Sequence, residues 1–232
     1  ELKNLNKEIN FIFSSSATVY GDPKTLPITE SEPIKKAESP YGNTKQIGEE
    51  IIKDLVNSSF NFKAISLRYF NPIGAHPSAL IGELPIGIPQ NLVPYITQTA
   101  IGKRNELTVF GDNYLTRDGS CIRDYIHVVD LAKAHIKSLE KLIKESSKNY
   151  YDVFNIGTGK GTSVLELISC FESVSGKKLN FKIGERRKGD VAKCFADVLK
   201  ANELLNWKSK HSIEDALLSS WNWEKHIKNE QL

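Results

Sequence analysis

Apolar positions along the chain change their period several times, and each change predicts an element. Phe11-Ile12-Phe13 is a short apolar run that stops at Ser14-Ser15-Ser16, the pattern of a buried strand that delivers hydroxyl side chains to a sheet edge. Residues 21–38 carry Pro23, Pro27 and Pro33 among charged residues and predict a surface loop. Ser39-Pro40 supplies an N-cap with proline at the first helical position. Ile47, Ile51, Ile52 and Leu55 predict the core-facing stripe of the helix that follows. Gly48 within it costs about 1 kcal/mol against alanine unless something packs closely there. Residues 62–70 predict a strand with Ile65, Leu67 and Tyr69 on one side, ended by Asn71-Pro72, and the Gly- and Pro-rich residues 73–90 predict an irregular loop. A helix over 92–101 closed by Gly102, a short strand over 107–110, an extended segment over 125–128, a helix over 130–144 and a strand over 153–156 follow. Gly157-Thr158-Gly159-Lys160-Gly161-Thr162 has the spacing of neither common nucleotide fingerprint, so it is taken as a hinge leaving the sheet, with Thr162 or Ser163 capping the next helix. Helices near 163–175, 198–205 and 213–228 complete the chain, with Trp207, Trp221 and Trp223 assigned to packing. Leu2 and Leu5, three apart, read as the tail of a helix before the first strand.

Strand and helix alternate at both ends of this pattern and lose that regularity in the middle. The fold class expected is α/β, a doubly wound parallel sheet with helices on both faces and a smaller mixed subdomain. Residues 1–72 with 125–159 are assigned to the sheet domain, and residues 73–124 with 160–232 to the subdomain.

Composition narrows the partners. Of 232 residues 40% are hydrophobic and 25% charged, ordinary for a globular chain. The net charge of +3 is small and dispersed, which argues against nucleic acid and membrane surfaces as partners. Cys121, Cys170 and Cys194 show no C-x-x-C spacing, so neither a disulfide framework nor a zinc site is expected and a cytoplasmic location fits best. No apolar run of 18 residues is present, and none of the five histidines has ligand spacing, so no metal is expected. His76 and His127 are assigned to structural hydrogen bonding.

The candidate chemistry lies at the serine run and at Tyr41 and Lys45. Four residues is one helical turn, so the phenol and the ammonium share a face. A free tyrosine has a pKa of about 10, and a nearby cation favours the phenolate. Lys45 would bring Tyr41 toward the range of a general base while Ser16 hydrogen-bonds the substrate oxygen, which is proton chemistry at a hydroxyl-bearing carbon.

Ser14-Ser15-Ser16-Ala17-Thr18-Val19-Tyr20-Gly21, Ser39-Pro40-Tyr41-Gly42-x-x-Lys45, Leu67-Arg68-Tyr69-Phe70-Asn71-Pro72, Gly87-Ile88-Pro89-x-Asn91-Leu92, Arg123-Asp124-Tyr125-Ile126-His127 and Arg186-Arg187-x-Gly189-Asp190 occur in this order. Together they resemble the extended short-chain dehydrogenase/reductases that act on nucleotide sugars, and among these the UDP-glucose 4-epimerases, over essentially the whole chain. The resemblance implies NAD as cofactor, a Rossmann-like sheet, and inversion at C4 of a UDP-hexose in galactose metabolism: hydride passes to NAD and returns to the other face of the 4-keto sugar. It implies Tyr41, Lys45 and Ser16 as catalytic residues and Ser14, Lys45 and Tyr69 as cofactor contacts. For the substrate it implies Ser16, Ala17, Thr18, Tyr69, Phe70, Asn71, Gln90, Asn91, Leu92, Thr108, Val109, Phe110, Arg123, Arg187, Asp190 and Cys194. Arg123 and Arg187 would grip the diphosphate, Asp190 the uridine ribose, and Val109-Phe110 would lie against the uracil. Cys194 stands where members restricted to glucose and galactose carry tyrosine, which implies that N-acetylated UDP-hexoses are also accepted. Gln90 and Thr108 depart from residues common in the family.

The resemblance also implies that the helix from Pro40 contributes to a homodimer interface. Without a methionine or a leading glycine-rich turn, the chain is expected to be the C-terminal part of a longer protein. Two rivals are weighed. A 4,6-dehydratase carries an Asp-Glu pair after the strand-end hydroxyl, where Ala17-Thr18 stands here. A non-catalytic remnant that binds a sugar nucleotide or a partner would not need the intact Ser16, Tyr41 and Lys45.

Overall fold

The chain begins its described part on a strand, as the Phe11-Ile12-Phe13 run predicts, in a computed structural model that describes residues 8–58 and 61–230. The helix tail expected around Leu2 and Leu5 lies outside these residues. In chain order the elements are β1 (Ile9–Ser16), α1 (Pro40–Ser58), β2 (Phe62–Tyr69), β3 (Asn71–Ile73), α2 (Leu92–Ala100), β4 (Leu107–Phe110), β5 (Ile122–Arg123) and β6 (Tyr125–His127). They continue with α3 (Val128–Lys144), β7 (Tyr150–Ile156), β8 (Thr162–Ser163), α4 (Val164–Ser175), β9 (Phe181–Gly184), β10 (Lys193–Cys194), α5 (Leu199–Leu204) and α6 (Ile213–Glu230). Asn71-Pro72 therefore does not simply end a strand; it opens β3, which pairs in parallel with β6.

Two units result. The first holds the chain up to residue 70 with residues 131–159 and 195–208; the second holds residues 71–130, 160–194 and the segment from 209. The division differs from the sequence expectation in three places. Residues 71–72 and 125–130 go with the second unit, where β3 pairs with β6. Residues 195–208 go with the first because Ile28 N–H donates to Phe195 O and Asp197 N–H donates to Ile28 O. Ile28 is fully buried there, so the stretch 21–38 is a loop with an anchored core residue and not all surface.

The first unit is built on a parallel sheet in the order β1-β2-β7. A parallel pair needs a crossover, and α1 supplies the one between β1 and β2. It packs Ile52 and Val56 on Phe62 and Ala64, with Phe11 and Phe13 at the margin. Of the stripe expected along α1, Ile52 is buried and Leu55 packs against the core, but Ile47 is 45% and Ile51 61% exposed, and Glu49 and Val56 are buried instead. An aliphatic reading of the helix puts a glutamate outside, but Glu49 is buried and paired with Arg68 of β2 at 2.6 Å. Gly48 has its close neighbour, since a Cβ there would lie 2.5 Å from Phe13 Cζ.

In the second unit, Ile73, Val93, Ile96, Leu107, Leu167 and Phe171 form the centre of one apolar core. Phe171 meets Trp221 edge-to-face at 5.8 Å, and such a pair contributes about 0.5–1.5 kcal/mol beyond burial. All three tryptophans are buried, as expected for packing residues. Ser163 caps α4 in a reciprocal capping box with Glu166. His127 Nδ1 accepts from Val129 N–H at 3.0 Å, the structural role expected of it.

Candidate active site

The strand end of the first unit carries the hydroxyl run. Ser16 accepts from Thr18 N–H at 3.2 Å and so opens the 3-10 turn Ala17–Tyr20. Ser39 Oγ accepts from Gly42 N–H at 3.1 Å, which starts α1 and places Tyr41 in its first turn. Gly42 is the residue that lets the helix approach, because a Cβ there would stand 3.3 Å from Thr18 O. Tyr41 is left 55% exposed. Lys45, one turn on, is half-buried; its Nζ donates to Ser14 O at 2.8 Å and lies 5.4 Å from the centroid of the Tyr41 ring.

Tyr69, from the end of β2, donates its hydroxyl proton to Ser14 Oγ at 2.6 Å, and its oxygen is 2.6 Å from His135 Nε2. Burial pushes the Tyr69 phenol up, so it remains a protonated donor at neutral pH. The structure thus gathers Ser14, Tyr41, Lys45 and Tyr69, with Ser16, Ala17 and Thr18 at the same strand end. Ala17 and Phe70 have buried side chains, and Phe70 N–H donates to Ile156 O at 3.2 Å. His135 escaped the sequence reading because it has no spacing relation to the residues it meets; only the fold brings α3 to Tyr69.

The second unit contains a cleft lined by Asn71, Gln90, Asn91, Leu92, Thr108, Val109, Phe110, Arg123, Arg187 and Asp190, ten of the residues expected to contact substrate. Pro72, Ile73, Val93, Pro94, Cys121, Tyr125 and Val164 also line it. Pro72 and Tyr125 stand inside the family-like motifs without an assigned contact, and the other five carry no sequence signal that separates a cleft wall from a core. Arg123 donates to Val191 O, just before β10, at 2.7 Å, and its Nη2 lies 3.6 Å from Asp190 Oδ1. Arg187 donates to Asp190 Oδ2 at 3.3 Å and lies over the Phe110 ring at 4.6 Å. One carboxylate shared by two guanidinium groups leaves excess positive charge, and beside it Phe110 offers a flat aromatic face. Such a cleft suits a ligand with a diphosphate and a planar ring. Cys194 does not line it; it stands on β10 in register with Arg123. Burial pushes its thiol up to about 11, so it stays a protonated, unreactive group.

A family model described as GDP-mannose 4,6 dehydratase matches residues 1–219. The chain is 48% identical over 224 residues to a UDP-glucose 4-epimerase of Drosophila melanogaster, covering 97% of this chain and 64% of that protein. To the UDP-glucose 4-epimerase of Bacillus subtilis it is 51% identical, covering 92% of this chain and 62% of that one. It spans a little over three fifths of these relatives' length. Among solved structures, the UDP-glucose 4-epimerase of Stenotrophomonas maltophila with NAD and formylated UDP-arabinopyranose superposes with a TM-score of 0.91 at 45% identity, over 95% of this chain and 65% of that one. That of Bifidobacterium longum with NAD+ and UDP gives 0.88 at 47% identity, over 95% and 64%. The α/β architecture with parallel strands is the fold these structures share.

Proposed function

We propose that this chain, which belongs to the GDP-mannose 4,6 dehydratase family of nucleotide-sugar enzymes, carries the proton-transfer residues and the sugar-nucleotide cleft of an NAD-dependent UDP-glucose 4-epimerase. The observation that carries this reading is the grouping of an exposed Tyr41 with Lys45, whose ammonium is pinned on Ser14 O at 2.8 Å. A lysine with three donors that uses one on a backbone carbonyl keeps others for the hydroxyls of a ribose. The donor set therefore fits the nicotinamide riboside end of NAD, held by Lys45 with Ser14 and Tyr69. When bound, NAD supplies the acceptor and donor of the C4 hydride.

The chain's own residues handle the proton and the substrate. Tyr41 takes the proton of the 4-hydroxyl oxygen and gives it back, with the Lys45 charge beside its ring. Ser16 Oγ accepts from Thr18 N–H, so its own proton is free to hold the same sugar oxygen. Arg123 and Arg187 grip the diphosphate, Asp190 the ribose, and Phe110 the base, which keeps the nucleotide bound while the sugar turns. The dehydratase reaction named by the family model needs a side-chain acid and base to expel water. Ala17, which is buried, and Thr18 follow Ser16 here, and neither supplies one.

A homodimer is part of the proposal, since α1 exposes Ile47 and Ile51 and α3 exposes Ile136, Leu139 and Ile143. A cytosolic setting agrees with three free thiols. Among the described residues no helix is long and apolar enough to cross a membrane.

The test is conversion of UDP-galactose to UDP-glucose by the full-length protein with NAD. Tyr41→Phe should lower kcat by about 10²- to 10⁴-fold, the usual worth of a general acid-base group, with UDP binding unchanged. No turnover by the parent, or full turnover by the variant, would refute the assignment.

A further inference from the structure

In the first unit a row of polar side chains crosses the sheet inside the core, one residue short of Ser16 and Tyr69. Ser15, Arg68 and Asn155 are register partners on β1, β2 and β7. Their exposures are 1%, 4% and 0%. From α1, the buried carboxylate of Glu49 closes on this row. Arg68 Nε donates to Glu49 Oε1 at 2.9 Å and Nη2 to Oε2 at 2.6 Å, while Ser15 Oγ donates to Oε1 at 2.5 Å. Arg68 Nη1 donates to the Tyr20 hydroxyl at 3.0 Å, and Tyr20 donates to Asn155 Oδ1 at 2.6 Å. Asn155 Nδ2 ends the chain on Ile28 O at 2.8 Å. Burial works against the charge of Arg68, but the Glu49 hydrogen bonds and the neighbouring charges hold it protonated; burial pushes the Tyr20 phenol up to about 12, so it remains a donor.

A buried ion pair is a poor way to make a core stable, because well-packed apolar residues of similar volume often do as well or better. What a bidentate guanidinium and carboxylate do provide is a fixed distance and a common plane, where two aliphatic side chains would let a helix slide. The helix fixed here is the one that bears Tyr41 and Lys45. Tyr41, Lys45 and Glu49 are spaced four apart on one face of α1. On the sheet, Ser15 lies between Ser14 and Ser16, and Arg68 precedes Tyr69. Each anchor is thus a direct neighbour, along a strand or along a helix face, of a residue at the strand-end site.

We propose that Glu49, Arg68 and Ser15 are positioning residues, a buried clamp that sets where Tyr41 and Lys45 stand against the hydroxyls of Ser14, Ser16 and Tyr69. The clamp acts through those groups, and its catalytic consequence rests on the epimerase assignment.

The test compares the full-length parent with Glu49→Asp, which keeps the charge and shortens the reach, and with the paired Glu49→Leu/Arg68→Met, which removes both charges at similar volume. Both variants should keep KM for UDP-galactose within about twofold, while kcat falls by up to about 100-fold, the effect of a misplacement of roughly 1 Å. The paired variant should melt within a few degrees of the parent; should it fail to fold, Glu49→Asp decides. A folded variant with parental kcat overturns the proposal, as does a KM that rises in proportion to the loss of kcat. A second readout needs no turnover: amide exchange of residues 39–47 should quicken in Glu49→Asp while β7 keeps its protection. Unchanged exchange at 39–47 overturns the clamp whatever the substrate. Quickened exchange with a parent inert on UDP-galactose supports the clamp and sinks the epimerase assignment alone.

Discussion

Cys194 is small, half-buried and protonated, and its neighbour in the sheet is Arg123. The resemblance that puts Cys194 at a position where a tyrosine would limit the pocket is the basis for expecting the full-length protein to interconvert UDP-N-acetylglucosamine and UDP-N-acetylgalactosamine as well. Cys194→Tyr should abolish that second activity and spare UDP-galactose turnover, because the ring would take the volume that a 2-acetamido group needs, and overfilling a site costs about 1–3 kcal/mol. Because Cys194 does not line the cleft of the second unit, the alternative outcome is informative. Equal losses on both substrate pairs would make Cys194 a packing residue whose enlargement displaces Arg123.

At the scale of elements, α4 is secured at its start by charge. Arg117 hydrogen-bonds the Glu166 carboxylate, and Ser163 N–H donates to Glu166 Oε2 at 2.8 Å. The Arg117 hydrogen bonds come first in holding the Glu166 carboxyl well below the usual range, to about 2. A carboxylate depressed in the folded state contributes stability above its unfolded value of about 4.5, and that contribution is lost as the pH falls toward 2. Chemical denaturation followed between pH 5 and pH 2 should therefore show the protein weakening, and Glu166→Gln should flatten that part of the profile. An unchanged slope in the variant would place the acid sensitivity elsewhere. Glu166 is partly exposed, so the effect should also shrink at high salt.

For the whole molecule, the apolar face of α1 that the core leaves open is the testable feature. Ile51 at 61% exposure and Ile47 at 45% lie on the helix that also carries Tyr41. Ile51→Glu should shift a dimer to a monomer in sedimentation velocity without lowering the melting temperature of the monomer; a variant that sediments as the parent does would remove α1 from the interface. Much of the molecule was legible from residue order alone. The strand that stops at Ser14-Ser15-Ser16, the cap at Ser39-Pro40 and the Ser163 cap of α4 depend on neighbours within a few residues, and local chemistry dictates them. The same holds for Tyr41 and Lys45, whose common face follows from helix geometry. What only the tertiary structure decided depends on partners far along the chain. Glu49 looks like a surface residue until Arg68 arrives to neutralise it, and Ile47 and Ile51 face outward on the same helix. Ile28 sits in a proline-studded loop yet is fully buried, because Phe195 and Asp197 bind its backbone. His135 meets Tyr69 across 66 residues. A sequence states which side chains exist and which local periods they obey, but desolvation of a charge is repaid only by a partner at contact distance, and that distance is a property of the folded chain.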